Sequence, residues 1–223
     1  SIAMTKLLQN KRGMNAKIST PWGDGELTTK LLGQFNISNC LATLAVMHIM
    51  GVSLDLALPI LARLDTVPGR MQCIRGRGQP LVVVDYAHTP DALEHALLAL
   101  REHTPGKLWC VFGCGGGRDK GKRAKMGQIA ERYSDQLIIT NDNPRQEAPE
   151  SIVADIVKGL LCGWAAEIEL DRGAAIAHAI TCADAADIIL IAGKGHEQYQ
   201  QIGDQRIPFS DVEHVKAQMN HVQ

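Results

Sequence analysis

The feature that most constrains the fold is a regular alternation of short apolar runs and helical stretches after Pro68-Gly69. Residues 81–84 form an apolar, valine-rich run that is typical of a strand buried on both faces. Thr89-Pro90-Asp91 then predicts a helix start, with Thr as N-cap, Pro at the first position and an acid in the first turn. Later strands are predicted over 108–112, 137–140, 168–170 and 188–192, with helices over 122–133, 150–161 and 174–182, then a hairpin over 199–209 and a last helix capped by Ser210. Five strands that alternate with helices predict an α/β fold with an open, mostly parallel Rossmann-like sheet and helices on both faces.

The residues before Pro68 follow a different pattern. Residues 16–32 alternate between apolar and polar and contain Trp22-Gly23-Asp24-Gly25, which predicts a hairpin turn. Helices are predicted over 36–50 and over 53–64, with Pro59 inside the second. One hairpin and two helices would leave apolar faces uncovered. We therefore expect two parts, the tail of a larger domain over 1–67 and a further domain over 68–223.

The charge balance and the cysteines limit the possible partners. The chain of 223 residues carries 23 Lys and Arg against 24 Asp and Glu, a net charge of -1, so no overall field attracts nucleic acid or anionic lipid. No secretory signal and no apolar run long enough to cross a bilayer is present. The six cysteines form no CxxC pair and are expected to be reduced thiols rather than metal ligands. We expect a cytoplasmic protein without a nucleic-acid or membrane partner.

Four loops follow the predicted strands at the edge where open parallel sheets bind ligands. They comprise residues 85–89, 113–122, 141–146 and 193–197, and they are also the loops richest in polar residues and glycine. Two independent features therefore predict a ligand site at the carboxyl ends of the strands.

The loop after the strand 108–112 is rich in glycine and positive charge. It leaves a strand and enters a helix, the setting in which helix N-termini bind phosphate. The dinucleotide pattern GxGxxG fails because Arg118 stands at the third glycine position, and the Walker pattern GxxxxGK[ST] fits residues 116–122 but then meets Arg123. The loop is therefore either a flexible turn or a basic loop in which Arg118 grips a carboxylate or phosphate.

The loop over residues 141–145 combines one acid, two amides and one guanidinium. Pro144 keeps Asn143 extended. Such a set suits a ligand with both ammonium and carboxylate groups: Asp142 would bind the cation, Arg145 the anion and Asn143 either. An Asx turn before a helix is the alternative.

Two further loops could contribute. In Gly193-Lys194-Gly195-His196-Glu197 the glycines permit positive φ or a close ligand approach, and Glu197 could bind a second ammonium. His88 could be a general base, a nucleotide contact or simply a loop histidine. The sequence contains no nucleophile–base pair and no metal-ligand spacing such as HExxH, so no catalytic or metal-binding residue is assigned.

Six ordered motifs together resemble the diaminopimelate-adding branch of the Mur ligase family, over nearly the whole chain from about Trp22. The motifs are Phe35-Asn36-Ile37-Ser38-Asn39, Gly69-Arg70-Met71, residues 85–91, residues 112–123, Asp142-Asn143-Pro144-Arg145 and residues 193–197. Members of this family have a UDP-substrate domain, a central ATPase domain and a C-terminal Rossmann-like domain that binds the incoming amino acid. The resemblance implies that residues 1–67 end the central domain and that residues 68–223 form the C-terminal domain.

The resemblance also implies an activity. It is the ATP-dependent addition of meso-diaminopimelate to UDP-N-acetylmuramoyl-L-alanyl-D-glutamate, in which an amine attacks an acyl phosphate and Mg²⁺ assists. The residues that resemble the family's diaminopimelate site are Arg118, Asp142, Asn143, Pro144, Arg145, Gly193 and Glu197. Those that resemble positions facing ATP across the domain cleft are Asn36, Asn39, Arg70, Asp85 and His88. Lysine lacks the distal carboxylate and would leave an arginine without its partner, which favours diaminopimelate over lysine.

The chain also departs from the family pattern. No segment resembles the GTNGKT phosphate loop, the carbamylated lysine or the UDP-binding domain, and the family's Mg²⁺ ligands lie mostly in those parts. We therefore expect a monomer that binds diaminopimelate but does not turn over alone, with ATP and the UDP-linked dipeptide acting through the other domains. Alternatives are an enzyme that uses the glycine loop as a true P-loop, a lysine-adding or folylpolyglutamate ligase, and an amino-acid or nucleotide-binding module without catalysis.

Overall fold

The computed structural model describes residues 2–162 and 166–221. The chain divides into two compact units, Ser1–Thr66 and Val67–Gln223. No helix in the described part of the chain is long and apolar enough to cross a membrane.

The first unit is a three-stranded antiparallel sheet with two helices. Its elements are β1 (Ala3–Asn10), β2 (Gly13–Thr20), β3 (Gly23–Thr29), α1 (Gln34–Ile49) and α2 (Leu54–Leu61), with the strands in the order β1-β2-β3. Met14, Ala16 and Ile18 alternate along β2 and are buried with Leu44 of α1 and Leu61 of α2. The outer helix faces stay apolar and exposed, as the sequence predicts: the exposed side chains include Val46, Ile49, Met50, Leu56 and Ile60.

Three details of the first unit differ from the sequence prediction. Strand β1 was not predicted. The turn lies at Pro21–Trp22 rather than at Trp22–Gly25, because Thr20 pairs with Gly23 and its hydroxyl donates to the Gly23 carbonyl at 2.6 Å. Helix α2 ends at Leu61 rather than at residue 64, three residues short of the prediction.

The second unit contains the predicted alternation. Its elements are β4 (Gln72–Ile74), β5 (Leu81–Asp85), α3 (Pro90–Arg101), β6 (Leu108–Phe112), α4 (Gly121–Tyr133), β7 (Gln136–Ile139), α5 (Pro149–Val157), β8 (Ala166–Ile168), α6 (Arg172–Cys182), β9 (Ile188–Ala192), β10 (Tyr199–Ile202), β11 (Gln205–Pro208) and α7 (Asp211–His221). Six strands form one sheet in the order β4-β5-β9-β6-β7-β8, and β10 pairs with β11 in a separate hairpin. All neighbours in the large sheet are parallel except β4, which runs antiparallel to β5.

The core of the second unit is built on the two faces of this sheet. Val82 and Val84 of β5, together with Ile189 and Ile191 of β9, pack with side chains of α6 and α7. Because side chains alternate along a strand, Val83 points to the opposite face, where α3 and α4 contact the sheet. The predicted α/β class with a mostly parallel sheet and helices on both faces is therefore confirmed.

Smaller differences concern element ends. The edge strand β4 has only three residues and no alternating pattern, and it was not predicted. Helix α5 ends at Val157, four residues before the predicted end; Gly159 follows it and packs so closely on Ala124 that a Cβ there would lie 1.8 Å from a backbone oxygen. Strand β8 lies at 166–168 instead of 168–170.

Candidate functional site

The four polar loops leave the sheet side by side. In the register of the sheet, Ala192 at the end of β9 is paired with Asp85 of β5 on one side and with Phe112 of β6 on the other. Phe112 is in turn paired with Ile139 of β7. The loops that follow these four residues therefore begin at one edge of the second unit, as predicted. What they do there depends on their own hydrogen bonds.

The glycine loop packs tightly on the loop that follows β7. The Gly116 amide donates to the Asn143 carbonyl at 2.9 Å, and the Arg145 Nη1 donates to the Gly116 carbonyl at 2.7 Å. A Cβ on Gly116 would lie 1.9 Å from the Pro144 carbonyl oxygen, so only glycine fits here. The glycines of this loop therefore allow two backbones to approach each other.

Several amides of the glycine loop and the start of α4 already have acceptors within the protein. The Gly117 amide donates to Glu147 Oε1 at 2.7 Å, and the Gly121 amide donates to Asp119 Oδ1 at 2.8 Å. These donors, together with Gly116, have acceptors within the protein, which argues against a phosphate-binding P-loop. Arg118 is exposed and, within the described residues, makes no hydrogen bond or ion pair, so its guanidinium is available to a ligand.

Behind the glycine loop lies a buried ion cluster. The Arg123 guanidinium, with no exposed side-chain surface, donates to both oxygens of Glu147 at 2.9 and 3.0 Å, to Asp155 at 3.0 Å and to the Gly115 carbonyl at 3.2 Å. Hydrogen bonds from Arg123 and from the Gly117 amide hold the pKa of Glu147 at about 2. Arg123, the residue that breaks the Walker pattern, thus fixes the shape of the loop.

A buried lysine forms the centre of the site. The Lys194 side chain has no exposed surface, and its Nζ lies 3.0 Å from Asn143 Oδ1, 2.9 Å from Glu197 Oε2 and 3.8 Å from Asp142 Oδ1. It also lies 5.8 Å from the centroid of the Tyr199 ring. Asp142, Asn143 and Glu197, which the sequence assigned to a ligand, are therefore brought together by a cation that belongs to the protein.

The two carboxyl groups around this lysine have different pKa values. Burial is the main cause that raises the pKa of Asp142, although the charges of Arg172 and Lys194 act in the opposite direction. Burial also acts to raise the pKa of Glu197, but hydrogen bonds from Lys194 and Asn143 outweigh it and lower this pKa below its usual value. Glu197 is thus the better anion of the two, and its carboxylate suits an ammonium ligand.

Arg145 adopts an unusual backbone conformation that the β10–β11 hairpin supports. Its φ of 54° is in the left-handed region that non-glycine residues rarely occupy. The Arg145 amide donates to the Gln201 carbonyl at 3.0 Å, and the Gly203 amide donates to the Arg145 carbonyl at 2.7 Å. Strain of this kind at a polar loop is characteristic of ligand-binding positions.

A second buried ion pair ties the strand ends together. Arg172 Nε and Nη2 donate to the two oxygens of Asp211 at 2.7 and 2.9 Å, and neither side chain has exposed surface. The same guanidinium donates to the carbonyls of Ala192 at 3.0 Å and Asn141 at 3.2 Å. The loops after β7 and β9 therefore share one anchor.

The residues predicted to face a nucleotide have mixed surroundings. The Asp85 carboxylate accepts from the amides of Met71 and Ala87 at 2.7 and 2.8 Å, and burial raises its pKa, so it holds the backbone of its own loop. Arg70 and His88 are exposed, and both contact the Tyr86 ring: the guanidinium carbon lies 4.8 Å and the imidazole centroid 4.6 Å from the centroid of that ring.

Asn36 and Asn39 lie on α1 of the first unit. Asn36 Nδ2 donates to the Leu32 carbonyl at 2.8 Å, and Asn39 Nδ2 donates to Asn36 Oδ1 at 3.2 Å.

Pro144 and Gly193 have steric roles. Pro144 is buried, and its carbonyl is the group that excludes a side chain at Gly116. Gly193 has a φ of 114°, and a Cβ there would lie 2.7 Å from Asp142 Oδ2. A side chain at position 193 would therefore press on the Asp142 carboxylate.

Sequence reasoning missed several polar residues that build this site. They are Lys194, Arg123, Glu147, Arg172, Asp211 and Gln201. The available signal was weak: Lys194 lies between two glycines directly after a buried strand, where a charged residue must find a partner. Among residues 2–162 and 166–221, no group of three or more His, Cys, Asp or Glu side chains could hold a metal ion.

The fold and its polar loops define an α/β domain with a charged edge at the carboxyl ends of its strands, and comparison with known sequences identifies its family. Residues 69–195, more than half of the chain, match the Mur ligase, glutamate ligase domain. The chain belongs to the Mur ligase family and represents its C-terminal domain type.

The curated relatives indicate which members of this family the chain is similar to. The chain is 54% identical, over 92% of its length, to a UDP-N-acetylmuramoyl-L-alanyl-D-glutamate–2,6-diaminopimelate ligase of Coxiella burnetii, and 53% identical over 86% of its length to the ligase of the same name from an Acidovorax species. The chain covers 42% and 39% of these two proteins. It therefore spans about two fifths of the curated relatives that it matches.

A solved structure agrees with the sequence comparison. A ligase of the same name superimposes with a TM-score of 0.83 and 40% identity, over 99% of this chain and 45% of that chain. The resemblance to the C-terminal part of diaminopimelate-adding Mur ligases is thus confirmed.

Proposed function

We propose that this chain is the C-terminal part of an ATP-dependent ligase that adds meso-diaminopimelate to UDP-N-acetylmuramoyl-L-alanyl-D-glutamate. In this proposal residues 68–223 bind the incoming amino acid. The names of the relatives support the reaction, and the charges at the sheet edge support the ligand.

The observation that carries the proposal is the arrangement of opposite charges in the loops after β6, β7 and β9. Meso-diaminopimelate has an ammonium and a carboxylate at each end, so a matching site needs at least one cation and one anion. Arg118 and Arg145 supply guanidinium groups for carboxylates. Glu197 supplies an ionised carboxylate for an ammonium group, which its lowered pKa favours.

The remaining residues of the proposed site shape it. Asp142 is buried with a raised pKa, so its contribution is weaker than that of Glu197. Asn143 can donate or accept a hydrogen bond, Pro144 stiffens the loop, and Gly193 keeps a side chain away from the Asp142 carboxylate. The chemical contribution of this domain is then to hold and orient the attacking amine.

Residues 1–67 are proposed as the end of the central ATPase domain. Support comes from the exposed apolar side chains on and beside its helices, such as Ile49 at the end of α1 with 84% exposure and Met50 directly after it with 78%. Large apolar side chains in this number are normally covered by protein. The proposed cover is the rest of that same domain.

ATP, Mg²⁺ and the UDP-linked dipeptide complete the proposal. Arg70 and His88 are exposed and fit contacts to a nucleotide, Asp85 would act by fixing its loop, and Asn36 and Asn39 remain proposed nucleotide-facing residues of the first unit. ATP would activate the D-glutamate carboxylate as an acyl phosphate, which the bound amine attacks. We further propose a monomeric, cytoplasmic protein without nucleic-acid or membrane partners, in which this 223-residue chain alone does not turn over.

Calorimetric titration with meso-diaminopimelate and, in parallel, with L-lysine tests the ligand assignment. We expect this chain to bind the first and not the second, because lysine lacks the distal carboxylate. Arg145→Ala should abolish the binding. Arg132→Ala serves as the matched control, since Arg132 is an exposed arginine in the last turn of α4, with its guanidinium 5.2 Å from the centroid of the Tyr133 ring.

Two results would contradict the proposal. Equal affinity for both amino acids, or preference for lysine, would refute the role given to the Asp142–Arg145 loop. Binding of neither would refute an amino-acid site that is complete in this chain.

A further inference from the structure

Lys194 is a charged side chain with no access to solvent, at the centre of the proposed amino-acid site. It is the second residue after β9, and its ammonium group contacts Asn143 in the loop that follows β7. Burial of an ammonium group is costly unless it is paired and hydrogen-bonded. Its two hydrogen-bond partners are Asn143 and Glu197, so its cost of burial is offset by contacts with proposed ligand-binding residues.

The bonds of Lys194 fix which way the Asn143 amide faces. Asn143 Oδ1 accepts from Lys194 Nζ at 3.0 Å and from the Gln201 amide at 2.9 Å. The Nδ2 group must then lie on the other side, where it donates to Glu197 Oε2 at 2.9 Å. Rotation of the amide would place its NH₂ group against two donors.

The same bonds orient Glu197. Both donors, Lys194 Nζ and Asn143 Nδ2, use the oxygen Oε2. Within the described part of the chain, Oε1 has no hydrogen-bond partner. The carboxylate is thus held by one oxygen and can present the other to a ligand.

The electrostatic setting explains why a cation is needed here. Asp142 and Glu197 both lie beside Lys194, and the charge of Glu197 contributes to the raised pKa of Asp142. Among the described residues, the other titratable groups that face this cluster are Arg172, Asp211, Arg145, Cys114 and Tyr199. Arg172 is already paired with Asp211, so it cannot replace Lys194 as the hydrogen-bonded partner of Glu197.

We propose that Lys194 is a positioning residue of the amino-acid site, which orients Asn143 and keeps Glu197 charged and aimed at the ligand ammonium group. This inference rests on the proposed function for the identity of the ligand. Lys194 itself does not touch the ligand: it acts through the two side chains that do.

The test compares Lys194→Met with the wild-type chain and uses two readouts. The first, without ligand, is a carbon-13 NMR titration of the Glu197 carboxyl carbon. The second is calorimetric binding of meso-diaminopimelate from pH 5 to pH 9. Lys158→Met is the matched control, because Lys158 also pairs with a carboxylate, Asp155, but its side chain is 71% exposed.

In the wild-type chain the Glu197 carboxyl should titrate below its ordinary pKa of 4.5. In Lys194→Met it should titrate above that value, because the counter-charge is gone while burial and Asp142 remain. Affinity at pH 7 should fall on the order of 100-fold, as for loss of one partner of a buried charge pair. Affinity in Lys194→Met should also become lower below the new pKa than above it, because Glu197 attracts an ammonium group only when it is ionised, whereas the wild type should show no such dependence.

Lys194→Arg covers the case in which the methionine variant does not fold. It keeps the charge, so Glu197 should still titrate low, but a planar guanidinium cannot place one nitrogen against both partners, and affinity should fall about tenfold. An unchanged Glu197 titration in Lys194→Met, or unchanged affinity in Lys194→Arg, would overturn the inference. Failure of the wild-type chain to bind diaminopimelate would count against the proposed ligand, while the ligand-free titration would still decide the role of Lys194.

Discussion

Removal of one partner of the buried ion pair between Arg172 and Asp211 should strongly destabilise the second unit. Asp211→Asn keeps the shape of the side chain but removes its charge. The Arg172 guanidinium then stays buried without its counter-charge, because both side chains lack exposed surface. Removal of one partner of a buried pair costs about 3–5 kcal/mol of unfolding free energy.

The loss of unfolding free energy should be measured in the second unit, by its melting temperature and by hydrogen exchange in β9. A cost of that size lowers the melting temperature of a domain of this length by about 6–20 °C. Amide hydrogen exchange in β9 reports on the second unit alone, and these amides should lose protection in proportion to the lost stability. The Arg172 side chain also donates to the Ala192 carbonyl at the end of β9, so this strand is directly affected.

Two comparisons make the test decisive. Asp91→Asn, at an exposed acid in the first turn of α3, should change stability by less than about 1 kcal/mol. The double variant Arg172→Met with Asp211→Leu should be more stable than Asp211→Asn, since no charge is left buried. A loss below about 1 kcal/mol in Asp211→Asn would refute the reasoning, because solvent or another group would then be satisfying Arg172.

Two further predictions concern Gly116 in the glycine loop and Glu147, which accepts a hydrogen bond from that loop. Gly116→Ala should lower the unfolding free energy by about 1–3 kcal/mol and weaken amino-acid binding, since its Cβ would lie 1.9 Å from a backbone oxygen. The control is Gly121→Ala, whose Cβ would lie 3.2 Å from a side-chain oxygen. Equal stability of the two variants in urea unfolding would contradict the close approach at Gly116. Glu147 has its pKa lowered from 4.5 to about 2, so its stabilising contribution is present above pH 4.5 and is lost as pH falls toward 2. Glu147→Gln should therefore flatten the loss of stability over that range in urea unfolding, and a profile as steep as that of the wild type would show that other groups cause the loss.

Local sequence patterns were sufficient for the central strands. The apolar runs at 108–112 and 188–192 coincide with β6 and β9, because strands buried on both faces leave a continuous apolar signal bounded by polar loops. Thr89 caps α3 as predicted, with its hydroxyl accepting from the Ala92 amide. That the four polar loops begin at one edge could also be predicted, since the carboxyl ends of parallel strands meet there.

The internal supports of the site could not be predicted from local patterns. Lys194 and Asn143 are 51 positions apart, and Arg172 and Asp211 are 39 apart, so their pairing exists only after the strands have been ordered. Strand order itself was not fixed by the sequence pattern, because β9 inserts between β5 and β6. The edge strand β4 was missed for a related reason, since three residues paired on one side carry little periodicity.

The hairpin formed by β10 and β11 has a consequence for how this domain is delimited. The family match stops at residue 195, yet Gln201 and Gly203 hold the backbone of Arg145, and Asp211 neutralises Arg172. A shortened protein cut at residue 195 would keep the whole parallel sheet but lose Glu197 and the segment that maintains the left-handed turn at Arg145. Such a piece would leave Arg172 buried without Asp211 and would uncover the sheet face on which Val215 and Met219 of α7 pack, so it should lose stability as well as the proposed amino-acid recognition. The smallest unit that could carry the proposed site therefore extends through α7.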